Sequence, residues 1–398
     1  MTDTDLYIDA AGAADLLGIS TATLYAYVSR KGLRSFPVPG TKKRRYWRAD
    51  IEALRHPSTA TDPVTTQMLV KSTSLTLLTE TGLFYRGQSA IALADSVTLE
   101  DVAMLLWGAS SDNFGAVPPG IFSDLPDVHH PDERLPKIDR ALSILPIMEY
   151  AYPQGADLSP EGFSATSARL VRWFACFISD AAPRHSDQPV HVTISGLSPA
   201  PALFGDLIRR ALVLAADHEL DPTTYAVRAA ANTGITPFGA ALVGLVAARG
   251  QRLRRARALT TARFVQHLVN SRDPAGEMVR LVRAGEPIPG FVSRDAPEGH
   301  DPRAAALTGA MREQLADDSD FRRLDHAITA AMDLRQATPE FILPVAFLGL
   351  KLGFEEEPLL FSTPGRLVGW LAHAQEQYTA SEFIRPRAAY TGILPVRA

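Results

Sequence analysis

Five arginines fall within nine positions of the stretch "VAARGQRLRRARALTT" (246–261): Arg249, Arg252, Arg254, Arg255 and Arg257. A guanidinium offers a planar fork of N–H donors that matches phosphate and carboxylate oxygens, so the run could hold a polyanion. Its positions make no single helical stripe. A solvated face, a phosphate site and a contact with a partner all stay open. A second basic run, Lys42, Lys43, Arg44 and Arg45, follows a segment whose polar Thr21, Thr23, Tyr25 and Tyr27 could face a ligand. Other chemistry-bearing residues are sparse. A single cysteine, Cys176, excludes a disulfide framework and a CxxC metal site. The stretches "VHHPDE" and "RHSDQPVH" lack ligand partners at known spacing, so they read as solvent loops and no metal site is expected.

The elements that must position these groups read as mainly α-helical. The chain has 398 residues, 46% hydrophobic and 21% charged, enough for two or three globular domains. A formal net charge of −4 gives no global attraction to nucleic acid, so any basic function must be local. Residues 1–55 run against that sign, with nine Lys/Arg and six Asp/Glu. Pro, Ser and Thr then mark a linker over 56–67. From 68 onward, "LEDVAMLLWGA" (99–109) and "FGDLIRRALVLAADHEL" (204–220) place apolar residues at the helical period, and alternating strand patterns are scarce. Two Pro-rich stretches, "AVPPGIFSDLPDVHHPDERLP" and "AAPRHSDQPVHV", read as surface loops. The opening "MTDTDLYIDAAG" lacks the basic and apolar regions of a signal peptide, and no apolar run approaches the roughly 18 residues of a membrane span. A cytoplasmic protein without a membrane partner is expected.

Residues 1–55 have their own grammar. "AAGAADLLG" is a short helix closed by Gly18, Ser20 supplies the next N-cap, and "TATLYAYVSRKG" is a second helix. That is helix-turn-helix spacing, and the second helix would enter a major groove. "GTKKRRYWRADIEAL" reads as a hairpin wing and a third helix, with Lys42, Lys43, Arg44 and Arg45 at a tip where cations meet phosphates. The segment resembles the winged helix-turn-helix of MerR-type regulators and excisionases. DNA binding through Thr21, Thr23, Tyr25 and the four wing cations is the implied role; a docking module that never touches DNA is the alternative.

Four segments of the remainder resemble the citrate synthase family in order and spacing. "GLFYRGQSAIALADSVTLEDVAMLLWG" (82–108) is similar to its YRG motif. "AADHELDPTTYAVRAAANTGITPFGAALVGLVAARG" (215–250) is similar to its HADHE segment, with Arg228, Gly234 and Gly250 at matching offsets from His218. "IPGF…HDPRA" (288–304) resembles the PGFGH…DPRA loop, and "RLVGWLAHAQEQ…IRPRAAYTG" (366–392) the C-terminal signature. The resemblance implies an all-α fold of two domains, a large one over 68–253 and 346–398 and a small one over 254–345 that closes on the ligands. It also implies a dimer. The family reaction is a Claisen condensation, in which an acyl-CoA loses an α-proton and attacks the ketone of oxaloacetate. Carried over by motif, His218 would contact oxaloacetate, Arg303 and Arg366 would each take a carboxylate, and Arg385 would reach into the neighbouring subunit's site.

The proton-moving groups depart from the family pattern. The family's HGGA histidine falls on Leu253, and Arg254 and Arg255 replace the glycines after it. The histidine of PGFGH falls on Ser293. His300, three residues before Arg303, could swing into that role or face solvent. The base of the family's PNVDF motif falls on Glu340, one methylene longer than aspartate, or else Glu340 merely favours a helix N-terminus. General acid–base groups contribute roughly 10²- to 10⁴-fold each, and about 1 Å of misplacement can cost on the order of 10²-fold. The implied function is therefore a weak or altered condensation of acetyl- or propionyl-CoA with oxaloacetate, with no permanently bound cofactor. Two alternatives are a non-catalytic regulator that senses a di- or tricarboxylate or CoA and binds DNA, and a non-catalytic subunit paired with a synthase paralogue.

Overall fold

The computed structural model describes residues 7–30, 33, 35–38, 40–41, 43–48, 51, 54, 72–79, 82–109, 113–115, 134–181, 188–250, 256–293, 301–380 and 383–384. The chain divides into two compact units, the first within residues 1–72 and the second spanning 73–385.

In the first unit, strand β1 (Tyr7–Asp9) leads into helix α1 (Ala10–Leu17), whose first turn is capped by the Asp9 carboxylate accepting from Gly12 N. Gly18, at φ 62°, closes α1 in the left-handed conformation that favours glycine. The Ser20 hydroxyl then accepts from Thr23 N at 3.1 Å and starts α2 (Thr21–Arg30). Strands β2 (Ser35–Pro37) and β3 (Arg44–Trp47) pair antiparallel, and β1 adds to the other edge of β3. The pairing of β1 is absent from the sequence reading, because three residues are too few for a periodic signal. Ala13, Leu24, Leu33, Tyr46 and Ile51 make a small separate core.

The second unit opens with an antiparallel meander, β4 (Thr76–Thr79), β5 (Gly82–Tyr85) and β6 (Gln88–Ser89). Helices α3 (Ala90–Ser96), α4 (Leu99–Trp107), α5 (Lys137–Ala151), α6 (Pro160–Ile178), α7 (Val190–Ser195) and α8 (Pro201–Ala215) follow. Next come α9 (Pro222–Ala231), α10 (Pro237–Ala248), α11 (Ala256–Asn270) and α12 (Pro274–Ala284). Strand β7 (Phe291–Ser293), α13 (Pro302–Gln314), α14 (Ser319–Arg335), β8 (Ala337–Pro339), α15 (Ile342–Lys351) and α16 (Thr363–Thr379) complete it. One local grammar starts several of these helices. Ser159, Asp221, Thr236, Asp273 and Asp301 each accept a backbone N–H through the side chain, with Pro at the next position. The mainly helical reading of the body agrees with this architecture. "AAPRHSDQPVHV" needs correction: its end is not loop but α7, because Val190 and Ile194, four residues apart, both face the core. Among the described residues, no helix is long and apolar enough to cross a membrane.

Helix α16 organises the unit. It packs on α4, α6, α8, α9 and α10 and is buried from Thr363 to Ala374. Its glycines permit this. A Cβ at Gly369 would lie 2.0 Å from the Ala216 carbonyl oxygen, so α16 crosses the C-terminal end of α8 at backbone contact distance. Arg366 and His373, one helical face of α16, are thereby set against the loop that follows α8.

Candidate functional site

That loop is Asp217-His218-Glu219, and its two acids hold it down. The Asp217 carboxylate, fully buried, accepts from Thr76 Oγ1 at 2.5 Å, from His373 Nε2 at 3.0 Å and from Arg366 at 3.5 Å. Burial works against its charge, yet contact with His373, the charge of Arg366 and the Thr76 hydroxyl outweigh burial and lower its pKa to about 2. Glu219 sits at φ 53°, and its carboxylate accepts from Leu78 N of β4 at 2.9 Å. The Tyr85 hydroxyl accepts from Asp217 N at 3.2 Å and donates to the Val213 carbonyl at 3.1 Å, closing the end of α8. Tyr85 of the "YRG" stretch is thus scaffold.

His218, between the two pinned acids, is partly buried. Burial lowers its pKa to about 4, and the charges of Arg303 and Arg366 push the same way, so the imidazole is neutral at physiological pH. Arg366 is buried and donates to Asp221 Oδ2 at 2.9 Å and Thr224 Oγ1 at 2.7 Å. Asp301 engages Arg303 through Nε at 3.0 Å and a terminal nitrogen at 2.8 Å, and the Arg303 guanidinium lies 4.7 Å from the centre of the Phe341 ring. His218, Arg303 and Arg366 therefore form one electrostatic group, with Asp217, Asp221 and Asp301 as counter-charges.

Glu340 is the residue before Phe341, whose ring lies against the Arg303 guanidinium. Strands β7 and β8 pair in the register Phe291↔Pro339 and Ser293↔Ala337, and Glu340 N donates to the Gly290 carbonyl at 2.9 Å. Gly290 is at φ 79°, and a Cβ there would press on Thr261 and Leu343. Ser293 is exposed at the far end of that ladder, three register positions from Glu340. At about 3.3 Å per residue it stands roughly 10 Å away along the strand, out of reach as a partner for the carboxylate. Arg257 forms an ion pair with Glu340, so the last arginine of the basic run is spent on the candidate base. Arg249 pairs with Asp139 at 2.8 Å. Both guanidinium groups stay well exposed, at 45% and 55%, so for both ends of the run these contacts fit a solvated face with ion pairs inside the chain. Leu253, Arg254, Arg255, His300 and Arg385 lie outside the described residues.

Beside Arg366 a cleft of about 680 Å³, counting its open mouth, is lined by Ala248, Ala258, Leu259, Leu359, Ser362 and Trp370, among others. Arg249 and Asp139 stand on its wall.

In the first unit, Thr21, Tyr25 and Lys43 are exposed, whereas Thr23 is half-buried and its hydroxyl meets that of Ser20 at 2.9 Å. Arg44 donates to the Ser35 hydroxyl and carbonyl, each at 3.0 Å, and Arg45 lies 4.2 Å over the Tyr7 ring. Lys42 lies outside the described residues. His191, expected in a solvent loop, is instead on α7, where burial lowers its pKa. Among the described residues no group of three His, Cys, Asp or Glu is arranged to hold a metal ion.

Several site residues escaped the sequence reading. Asp301 was visible in "DPR" and Asp217 in "DHE", each beside a residue already singled out. His373 stands seven positions after Arg366, the same helical face, and that spacing would have found it. Thr76 carried no signal, because a strand 141 positions away delivers it.

The family description "Citrate synthase, C-terminal domain" matches residues 174–387, more than half of the chain. A citrate synthase from Heyndrickxia coagulans is 28% identical over 231 residues, covering 54% of this chain and 61% of that protein. A 2-methylcitrate synthase from Shewanella oneidensis is 22% identical over 353 residues, covering 79% of this chain and 90% of that protein. Among solved structures, citrate synthase from Thermotoga maritima matches 83% of this chain and 95% of its own, with TM-score 0.60 at 20% identity. Citrate synthase from Thermoplasma acidophilum, in a ternary complex with carboxymethyl coenzyme A and oxaloacetate, matches the same shares with TM-score 0.65 at 16% identity. The chain belongs to the citrate synthase family.

Proposed function

We propose that this protein binds oxaloacetate or a closely related 2-oxo dicarboxylate through His218, Arg303 and Arg366, and slowly condenses acetyl- or propionyl-CoA with it to a citrate-type product. The observation that carries the reading is the convergence of a neutral imidazole and two arginines on one site. A neutral imidazole can donate one hydrogen bond to the ketone without competing for the carboxylates. Each guanidinium has N–H groups beyond those its acids occupy. Glu340, next in sequence to the Phe341 ring that Arg303 covers, is the base. It works slowly because Arg257 occupies one of its oxygens and because Leu253 and Ser293 bring no imidazole. In this reading the large domain covers 68–253 and 346–398 and carries His218 and Arg366, the small domain covers 254–345 and carries Arg303 and Glu340, and ligand joins them. Dimerisation, with Arg385 reaching the neighbouring site, belongs to the same reading.

Release of free CoA thiol in the presence of oxaloacetate and either acyl-CoA tests it. A slow, enzyme-dependent release that Glu340→Gln abolishes is expected; no release at high enzyme concentration would sink the reading.

A second reading is favoured by the first unit, which has its own core and exposes Thr21 and Tyr25 on α2 and Lys43 at the hairpin. We propose that it is a winged helix-turn-helix that binds DNA and reports the ligand state of the body. With Arg44 and Arg45 engaged internally, few phosphates are neutralised. Duplex-DNA binding by the full chain should weaken with salt, log K falling by about 0.9 per log unit of salt for each phosphate contact. Failure to bind at low salt would refute it.

A further inference from the structure

His373 of α16 is fully buried between Asp217 and Arg228. Its Nδ1 meets Arg228 Nη1 at 3.2 Å and its Nε2 meets the Asp217 carboxylate at 3.0 Å. A guanidinium has N–H groups and no lone pair to offer, so Nδ1 must accept. The ring proton is then on Nε2 and is donated to Asp217. Arg228 is held in that place: it is buried, it forms an ion pair with Glu376, and its Nε donates to Gln377 Oε1 at 3.2 Å. Glu376 is anchored in turn by Ser74 N at 2.7 Å and the Thr73 hydroxyl at 2.8 Å. Asp217 is the reason the ring orientation matters. A buried carboxylate is costly unless its oxygens find donors. Thr76 and His373 both donate to Oδ2, and Oδ1 holds Arg366 only at 3.5 Å, the limit of a hydrogen bond. We infer that His373 is a positioning residue for dicarboxylate binding: by donating its Nε2–H to Asp217 it keeps that carboxylate from drawing Arg366 closer. The guanidinium then stays where Asp221 and Thr224 set it. This role rests on the dicarboxylate reading of Arg366; the orientation of the ring does not.

Two amide substitutions separate the two ring nitrogens, because an Asn amide falls near Nδ1 of the histidine and a Gln amide near Nε2. His373→Gln keeps a donor for Asp217 and gives up the Arg228 contact; His373→Asn does the reverse. Isothermal titration of the full-length protein with oxaloacetate should find His373→Gln within about 3-fold of the parent and His373→Asn at least about 10-fold weaker, the scale of one hydrogen bond to a charged group. Urea denaturation of the same proteins should show similar losses for both, since each forfeits one bond of the ring. A histidine that only filled space would weaken oxaloacetate binding alike in both. Thr76→Val, nearly isosteric, removes the other donor to Oδ2 and should weaken oxaloacetate in the same direction; it carries the test if a His373 variant does not fold. NMR of the parent labelled at histidine nitrogen should show a solvent-protected Nε2–H with an unprotonated Nδ1. Equal weakening by Gln and Asn, unchanged affinity in Thr76→Val, or a buried ring protonated at Nδ1 overturns the inference. A parent that binds no oxaloacetate sinks the dicarboxylate reading, and this role with it, while the NMR result still decides the orientation of the ring.

Discussion

At the residue scale the site is a set of charges already paired, and its pH behaviour follows. Free histidine titrates near 6.5, and His218 in the folded site near 4. Above pH 6.5 neither state holds the proton. Between 6.5 and 4 the unfolded chain takes up a proton that the folded site refuses, so stability falls as pH falls. The loss is on the order of 2–3 kcal/mol by pH 4, discounted for partial exposure. Urea denaturation across this range should show the decline in the parent and a flatter profile in His218→Asn. Asp217 acts lower: its pKa near 2 is below the ordinary 3.8, so its contribution is present above about pH 4 and disappears toward 2. Arg257→Gln should raise CoA release several-fold by freeing a Glu340 oxygen; a decrease would mean that Arg257 positions the base. The grouping of Arg303 and Arg366 with His218 was legible in sequence because both arginines sit inside short motifs. The counter-charges were half legible, since Asp217 and Asp301 are motif neighbours while Asp221 and Thr224 bind Arg366 only through the fold.

At the element scale α16 decides the geometry. Gly369→Ala would place a methyl group 2.0 Å from the Ala216 carbonyl and 2.9 Å from the Asp217 carboxylate. Neither can retreat without moving the loop that bears His218. A loss of about 3 kcal/mol or more in chemical denaturation is expected, in the class of overpacked backbone contacts, together with weaker oxaloacetate binding in whatever fraction folds. Helices with a capped Pro start and a 3–4 period were readable without a structure. The two-residue and three-residue strands were not, because β7 and β8 exist only through each other: neither has enough alternation to announce itself. Helix α7 was missed for a related reason, six residues being barely more than a turn and a half.

At the scale of the molecule, the two units have separate cores of very different size. Scanning calorimetry of the full chain should therefore give two transitions, since a small core supports less cooperative stability than a large one. Oxaloacetate should raise only the transition of the larger unit, in proportion to the logarithm of its concentration above Kd. A single transition that oxaloacetate shifts as a whole would mean that the units unfold as one.

Asp217 has one further consequence. The carboxylate of the residue before His218 also ties a strand and the central helix together, so selection cannot alter it for chemistry without jeopardising assembly. Changes at Asp301 or Phe341, which touch Arg303 and not that carboxylate, leave the keystone in place.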